Sequence, residues 1–326
     1  MRLVPRAGFR RAFVTGIGGQ NGSYLAERLA EWGVEVHGLV RSQQRPTHLP
    51  AGVRLHVGDV SDHDRVREVL REVRPNAVAN LAAMSSVAAS WKEPELCRAV
   101  NRDAALALLD AVEELSDERH PIRFVQASSA EMFGTPEVSP QDESTPIAPT
   151  SPYGEAKADV HRAVGEARAR GLHASSLILY NHESPRRPRT FVTRKITSTV
   201  AAIVKGRADE LVLGNLDARR DWGWAPDFVD AFLRAGSHDE PDDYVVATGQ
   251  AHSVRDFVGS AFAAAGIADW ESYVRVDESL LRPVDAVELV GDATRARTKL
   301  GWQPTKRFDQ IVAAMVRHDL KLLSRP

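Results

Sequence analysis

The run Phe13-Val14-Thr15 breaks at Gly16 and passes through Gly19 and Gly22 straight into the amphipathic segment NGSYLAERLAEWG. A strand that enters a helix through three glycines spaced three apart constrains the fold more than any other feature of this chain. The glycines permit a tight turn and let N–H groups at the helix N-terminus approach a pyrophosphate closely. The alternation then repeats to about residue 180: VEVHGLV, VRLHVGDV, Ala77 to Leu81, Phe124 to Ser128 and Ser175 to Tyr180 read as strands, with helical segments between them. Strands alternating with helices predict an α/β fold, a Rossmann-type doubly wound parallel sheet of six or seven strands.

After Asn181 the pattern loosens into a Pro- and Arg-rich loop, a helix over about 191–205 and the loop GNLDARRDWGWAPD, with further strands expected near 213 and 246. The expected division is a dinucleotide-binding domain over 1–185 with a return segment at about 222–252. A smaller α/β substrate-facing region would be built from 186–221 and 253–326.

Composition narrows the class. A chain of 326 residues with 43% hydrophobic and 26% charged residues reads as an ordinary soluble protein. Its formal net charge of -2 gives no bulk electrostatic reason to expect nucleic acid or an anionic membrane as partner. No segment approaches the roughly 18 apolar residues of a spanning helix, and the basic start lacks the apolar core of a signal peptide. The single cysteine, Cys97, cannot form an internal disulfide, so a cytoplasmic location is expected. No metal site is expected.

Tyr153 and Lys157 stand four apart in SPYGEAKAD, on one face of a helix. An ammonium roughly 5 Å from a phenol, at an effective dielectric of about 20, contributes about 3 kcal/mol, enough to lower the phenol pKa by about two units. Lys157 is therefore expected to make Tyr153 a base near neutral pH. Ser129 closes a parallel strand at the edge where open α/β sheets place ligands, and Glu131 follows two residues later. At the second strand end, Arg41 stands where a carboxylate would suit a ribose 2′-hydroxyl, so a 2′-phosphate, and hence NADP, is expected. Asp59, closing the third strand, is placed to accept from the adenine amine.

These pieces resemble the extended short-chain dehydrogenase/reductase family, and YNHESPRRPRTFVTRKIT at 180–197, LGNLDARRDWG at 213–223 and ATGQAHSVRDFV at 247–258 resemble its nucleotide-sugar 4,6-dehydratases. The resemblance covers the chain from Ala12 to about Leu320. It implies catalytic roles for Ser129, Glu131, Tyr153 and Lys157. Cofactor contacts are implied for Gly16, Gly19, Gln20, Asn21, Gly22, Arg41, Asp59, Val60, Leu81, Ala83, Ser85, His182 and Arg187, besides Tyr153 and Lys157. For the nucleotide-sugar the resemblance points to Ser85, Asn181, Lys195, Arg220 and Arg282, with Ser129, Glu131 and Tyr153 at the reacting sugar. The implied reaction is the conversion of GDP-mannose to a 4-keto-6-deoxy sugar through bound NADP, in a homodimer or a tetramer. Alternatives are a reductase or epimerase of the same family, or a regulatory protein that binds NADP without chemistry. Departures from the family pattern are Asn21 for aspartate, a shorter loop after Arg41, Ala99 and Arg102 in the helix beneath the cofactor, Pro188 for glycine, Trp224 for histidine and Asp285 for glutamate.

Overall fold

The protein is described from a computed structural model covering residues 9–280 and 288–324. Its first half lays down β1 (Arg11–Thr15), α1 (Gln20–Glu31), β2 (Glu35–Val40), β3 (Arg54–Val57), α2 (His63–Val73), β4 (Ala77–Asn80), α3 (Val87–Lys92), α4 (Pro94–Arg98), α5 (Ala104–Leu115), β5 (Arg123–Ser129), α6 (Pro152–Ala169) and β6 (His173–Leu179). The second half adds β7 (Asn181–Glu183), α7 (Val192–Val204), β8 (Leu211–Leu213), β9 (Arg219–Trp224), α8 (Ala225–Ser237), β10 (Asp243–Val246), β11 (Ala251–Ser253), α9 (Val254–Ala264), β12 (Val274–Val276), β13 (Glu288–Leu289), α10 (Thr294–Leu300) and α11 (Phe308–Leu323).

Seven strands pair in the order β10-β6-β5-β4-β1-β2-β3, every pair parallel. The order reverses between β1 and β4, the switch point where such sheets open a crevice at their carboxyl edge. Period-two alternation explains the layers. Ala12 and Val14 face a core that includes Leu25 and Leu29 of α1 and Phe228 and Phe232 of α8. Phe13, between them, faces the opposite core with Val69 of α2, Leu108 of α5 and Val164 of α6. Each such fully buried side chain contributes roughly 1.5–3 kcal/mol against exposure.

A separate core gathers α7, α9 and α11 around Ile196, Val200, Phe257, Phe262, Val312 and Met315, with Trp222 of β9 among them. Small sheets serve it: β11-β9-β13 with β7 beside β9, and β12 with β8. From the C-terminal part, α10 and Trp302 leave this unit and pack on the large sheet, where Ala296, Leu300 and Trp302 join the core beneath α8. The buried pair Arg194–Asp319 joins α7 to α11.

Helix starts follow local chemistry. Asp62 caps α2 by accepting from the Arg65 N–H at 3.0 Å, and Ser151 caps α6 by accepting from the Gly154 N–H at 3.1 Å, with Pro152 in the first turn. The region 94–115 is α4 and α5 joined by a π-turn over Ala99–Asp103, an irregularity frequent at functional positions.

Candidate active site

The glycine turn is set by contact as much as by conformation. Gly16 has φ +63°, and a Cβ at Gly22 would lie 2.3 Å from the Gly16 carbonyl oxygen, so the turn and α1 can close on each other only without that side chain. The N-cap of α1 is Gly19, which offers no side-chain cap, and the first turn carries no acidic residue. A helix N-terminus left this way is suited to a phosphate. At the next two strand ends, Arg41 is exposed and its charge helps hold the Asp59 carboxyl below its usual range, although the larger cause is hydrogen bonding from Ser61. The cation and the uncapped helix as donors, with the ionised carboxylate as acceptor, fit a dinucleotide carrying a 2′-phosphate. Val60 lies with Thr15, Asn80 and Ala82 around a small cavity beneath this edge.

Loop 81–85 is tied down from below. The Leu81 and Ala82 N–H groups both donate to Thr15 Oγ1 at 3.1 Å. Asn101, in the π-turn, accepts from the Met84 N–H at 2.7 Å and donates back to the Met84 carbonyl at 2.9 Å. Ala83 is half-buried and Ser85 exposed on this loop. Thr15 and Asn101 were not among the residues expected from the sequence. Their signal was weak, a threonine ending a strand and an asparagine inside a helix, neither informative until the loop is seen against them.

Opposite α1, the segment after β6 closes the glycine turn. Gln20 donates to the His182 carbonyl at 3.0 Å and accepts from Ser184 Oγ at 2.8 Å, while Asn21 Nδ2 contacts His182 Nε2 at 2.8 Å. His182 lies flat against Phe228, and burial, with the nearby Arg187 charge, pulls its pKa down to about 3. Arg186 and Arg187, in the loop after β7, are both partnered. Arg186 bonds Ser23 and Glu27 and stacks on Tyr24, with 3.8 Å from the guanidinium to the ring centroid. Arg187 stacks on Phe191 and faces buried Glu183 at 3.4 Å.

Ser129, Glu131, Tyr153 and Lys157 come together because two elements are pressed into contact. Ser129 ends β5 and caps the 3₁₀ turn Ala130–Phe133 that carries Glu131. Tyr153 lies in the first turn of α6, where a Cβ at Gly154 would sit 2.4 Å from the Glu131 carbonyl oxygen. That approach brings the turn carrying Glu131 against the start of α6, close enough for the Glu131 charge to act on the phenol. Tyr153 is 8% exposed and Lys157 3%, and Lys157 Nζ donates to the Ala127 carbonyl at 2.8 Å.

One expectation is corrected here. The Lys157 ammonium was expected to pull the Tyr153 phenol down. Instead burial pushes the phenol up to about 12, with Ser129 and Arg187 acting downward and Glu131 upward. Burial also pulls Lys157 down to about 8. Tyrosine and lysine leave water together, so desolvation outweighs an ammonium 5.7 Å from the ring centroid that is aimed at a carbonyl.

The remaining expected residues are held by the second core. Asn181 starts β7, Lys195 is half-buried in the first turn of α7, and Arg220 is 6% exposed in β9 and donates to the Arg219 carbonyl. Arg282 and Asp285 lie outside the described residues. Among the described residues no cluster of His, Cys, Asp or Glu could hold a metal, and no helix is long and apolar enough to cross a membrane.

The chain superposes on UDP-glucose 4-epimerase with UDP-glucose from Thermotoga maritima (TM-score 0.86, 25% identity, 96% of this chain and 100% of that one). It superposes also on Thermus thermophilus UDP-glucose 4-epimerase complexed with NAD (TM-score 0.82, 28% identity, 95% and 98% covered). Sheet order, glycine turn and the Ser-Tyr-Lys arrangement define an extended short-chain dehydrogenase/reductase. GDP-mannose 4,6 dehydratase 1 of Arabidopsis thaliana is 44% identical over 96% of the chain and 91% of its own length. The human GDP-mannose 4,6 dehydratase is 41% identical over 96% and 92%. With the GDP-mannose 4,6 dehydratase family model matching residues 13–315, the chain belongs to that family.

Proposed function

We propose that this protein is a hydro-lyase that converts GDP-mannose to GDP-4-keto-6-deoxymannose with NADP retained between half-reactions. The observation that carries the reading is Glu131, its turn held against the start of α6 by the contact at Gly154 and its charge acting on Tyr153: oxidation of an alcohol needs one base, and elimination of water needs a second.

The N-terminus of α1 and Arg41 would hold NADP, which when bound would supply reversible hydride transfer to and from the sugar. Tyr153 takes the proton of the sugar 4-hydroxyl as that carbon is oxidised, and Ser129 hydrogen-bonds the same oxygen. Lys157, its Nζ 5.7 Å from the Tyr153 ring centroid, would add positive charge favouring the phenolate once substrate is bound, against the burial that opposes it. The resulting 4-ketone acidifies the neighbouring C5 proton. Glu131 removes that proton, and the 6-hydroxyl leaves as water with a proton supplied within the site. Hydride addition at C6, with return of the proton held by Glu131 to C5, then completes a 4-keto-6-deoxy sugar with no net oxidation.

Nucleotide-sugar binding falls to Asn181, Lys195, Arg220 and Arg282, with Ser85 at the loop, and arginine forks match phosphate oxygens. The domain division would leave the dinucleotide to the large sheet with α8 and α10, and the sugar nucleotide to the unit around α7, α9 and α11. We place the protein in the cytoplasm as a homodimer; a monomer by sedimentation refutes the dimer.

Incubation of the purified protein with GDP-mannose, followed by mass spectrometry, tests the reading. A product lighter by one water, formed without net consumption of NADP, is expected. Net cofactor consumption would indicate a reductase, and a product of unchanged mass an epimerase.

A further inference from the structure

The buried polar groups of the large sheet form one directed chain. Thr15, Asn80 and Gln126 are cross-strand neighbours on β1, β4 and β5, and all three are buried. Thr15 Oγ1, which accepts from Leu81 and Ala82, donates to Asn80 Oδ1 at 2.6 Å. Asn80 Nδ2 donates to Gln126 Oε1 at 2.9 Å, and Gln126 Nε2 donates to the Ala127 carbonyl oxygen at 2.8 Å. Lys157 Nζ donates to that same oxygen at 2.8 Å.

Each donor and acceptor is used in a single sense. Turning either amide over would set donor against donor or acceptor against acceptor among buried side chains, at the cost of an unsatisfied buried group. The amide orientations are therefore fixed from loop 81–82 to the carbonyl on which the Lys157 ammonium rests. A carbonyl oxygen accepts from two directions, and the Gln126 amide occupies one of them and leaves the other to the lysine.

We propose that Gln126 is a positioning residue for Lys157, fixing the Ala127 carbonyl that holds the ammonium and being fixed in turn, through Asn80 and Thr15, by the loop expected to face the cofactor. Gln126 acts only through Ala127. The inference rests on the reading of Lys157 given above and names what sets its place. A buried lysine with a well-directed partner keeps its proton better than one whose partner has turned away. Disturbing Gln126 therefore lowers the pH at which Lys157 loses its charge.

The test reads the lysine directly. The chain has seven lysines, so 13C-lysine labelling of the full-length protein gives few signals, and the one lost in Lys157→Met is Lys157. In the wild type burial is expected to bring its midpoint down to about 8. Gln126→Met conserves volume, removes both side-chain hydrogen bonds, and is expected to lower this midpoint by about half a unit or more. It also lowers kcat about tenfold, with KM for GDP-mannose changed less than about twofold. An unshifted midpoint in folded Gln126→Met overturns the proposal. Should that variant not fold, Thr15→Val cuts the chain at its far end, and an unshifted lysine there overturns it equally. Wild-type turnover in Lys157→Met would instead sink the underlying reading. An inactive Lys157→Met with an unmoved midpoint in Gln126→Met sinks this inference alone.

Discussion

Asn21 fixes the tautomer of His182. The His182 Nδ1 lies 2.7 Å from the Tyr180 carbonyl, which can only accept, so Nδ1 carries the proton. Burial keeps the ring neutral, which leaves Nε2 as an acceptor, and Asn21 Nδ2 donates to it at 2.8 Å. The aspartate usual in the family at this position has no hydrogen to give. Asn21→Asp should draw a second proton onto the ring and raise the His182 pKa from about 3 by about two units or more. Imidazole proton NMR across pH 4–8 reads this, and an unmoved resonance would show that the amide does not set the ring.

Lys157 should cost stability while serving activity. Its folded pKa of about 8 lies below the ordinary 10.5, so below pH 8 both states are protonated and the folded state bears the desolvation cost in full. Between pH 8 and 10 the folded lysine loses its proton before the unfolded one, and stability attributable to this group rises with pH. Lys157→Met is expected to be inactive and about 1–3 kcal/mol more stable near neutrality, the gain shrinking between pH 8 and 10. Urea unfolding of both proteins at the two ends of that range measures it. A constant difference would contradict the assignment.

Glu131→Gln keeps the size of the side chain and removes the second base. The expected loss is about 10²- to 10⁴-fold in dehydration, with the first oxidation of the 4-hydroxyl changed far less. Single-turnover absorbance of reduced nicotinamide separates the two, because a variant blocked at elimination accumulates it. Unchanged overall turnover would remove Glu131 from the mechanism.

Arg41→Ala should weaken NADP binding by about 10- to 100-fold, as loss of a charge-assisted pair to phosphate does, while leaving NAD binding within about threefold. Fluorescence titration with both dinucleotides decides this. Equal losses would mean that Arg41 holds the strand end rather than the 2′-phosphate.

The sheet and the reacting quartet were legible because they depend on local spacing. Strand alternation, the turn from Gly16 to Gly22 and the interval from Tyr153 to Lys157 are all short-range. The Thr15-Asn80-Gln126 chain was not, since three unremarked polar residues in separate strands become neighbours only through sheet order and register. The effect of Lys157 on Tyr153 was misjudged for a related reason: spacing gives distance along a helix, whereas the depth to which α6 sinks is set by the core around Val160, Val164 and Phe124. Arg186 and Arg187 look like a charge run because their partners, Tyr24, Glu27, Glu183 and Phe191, are supplied partly by α1, far away in sequence.

The missing side chain at Gly154 has a consequence for altering sugar preference. With α6 seated on the backbone of Glu131, any side chain at position 154 would push the start of α6 away from the turn that carries Glu131. Trp224, under the Lys306 ammonium at the end of β9, stands on a separate scaffold and carries no such restraint.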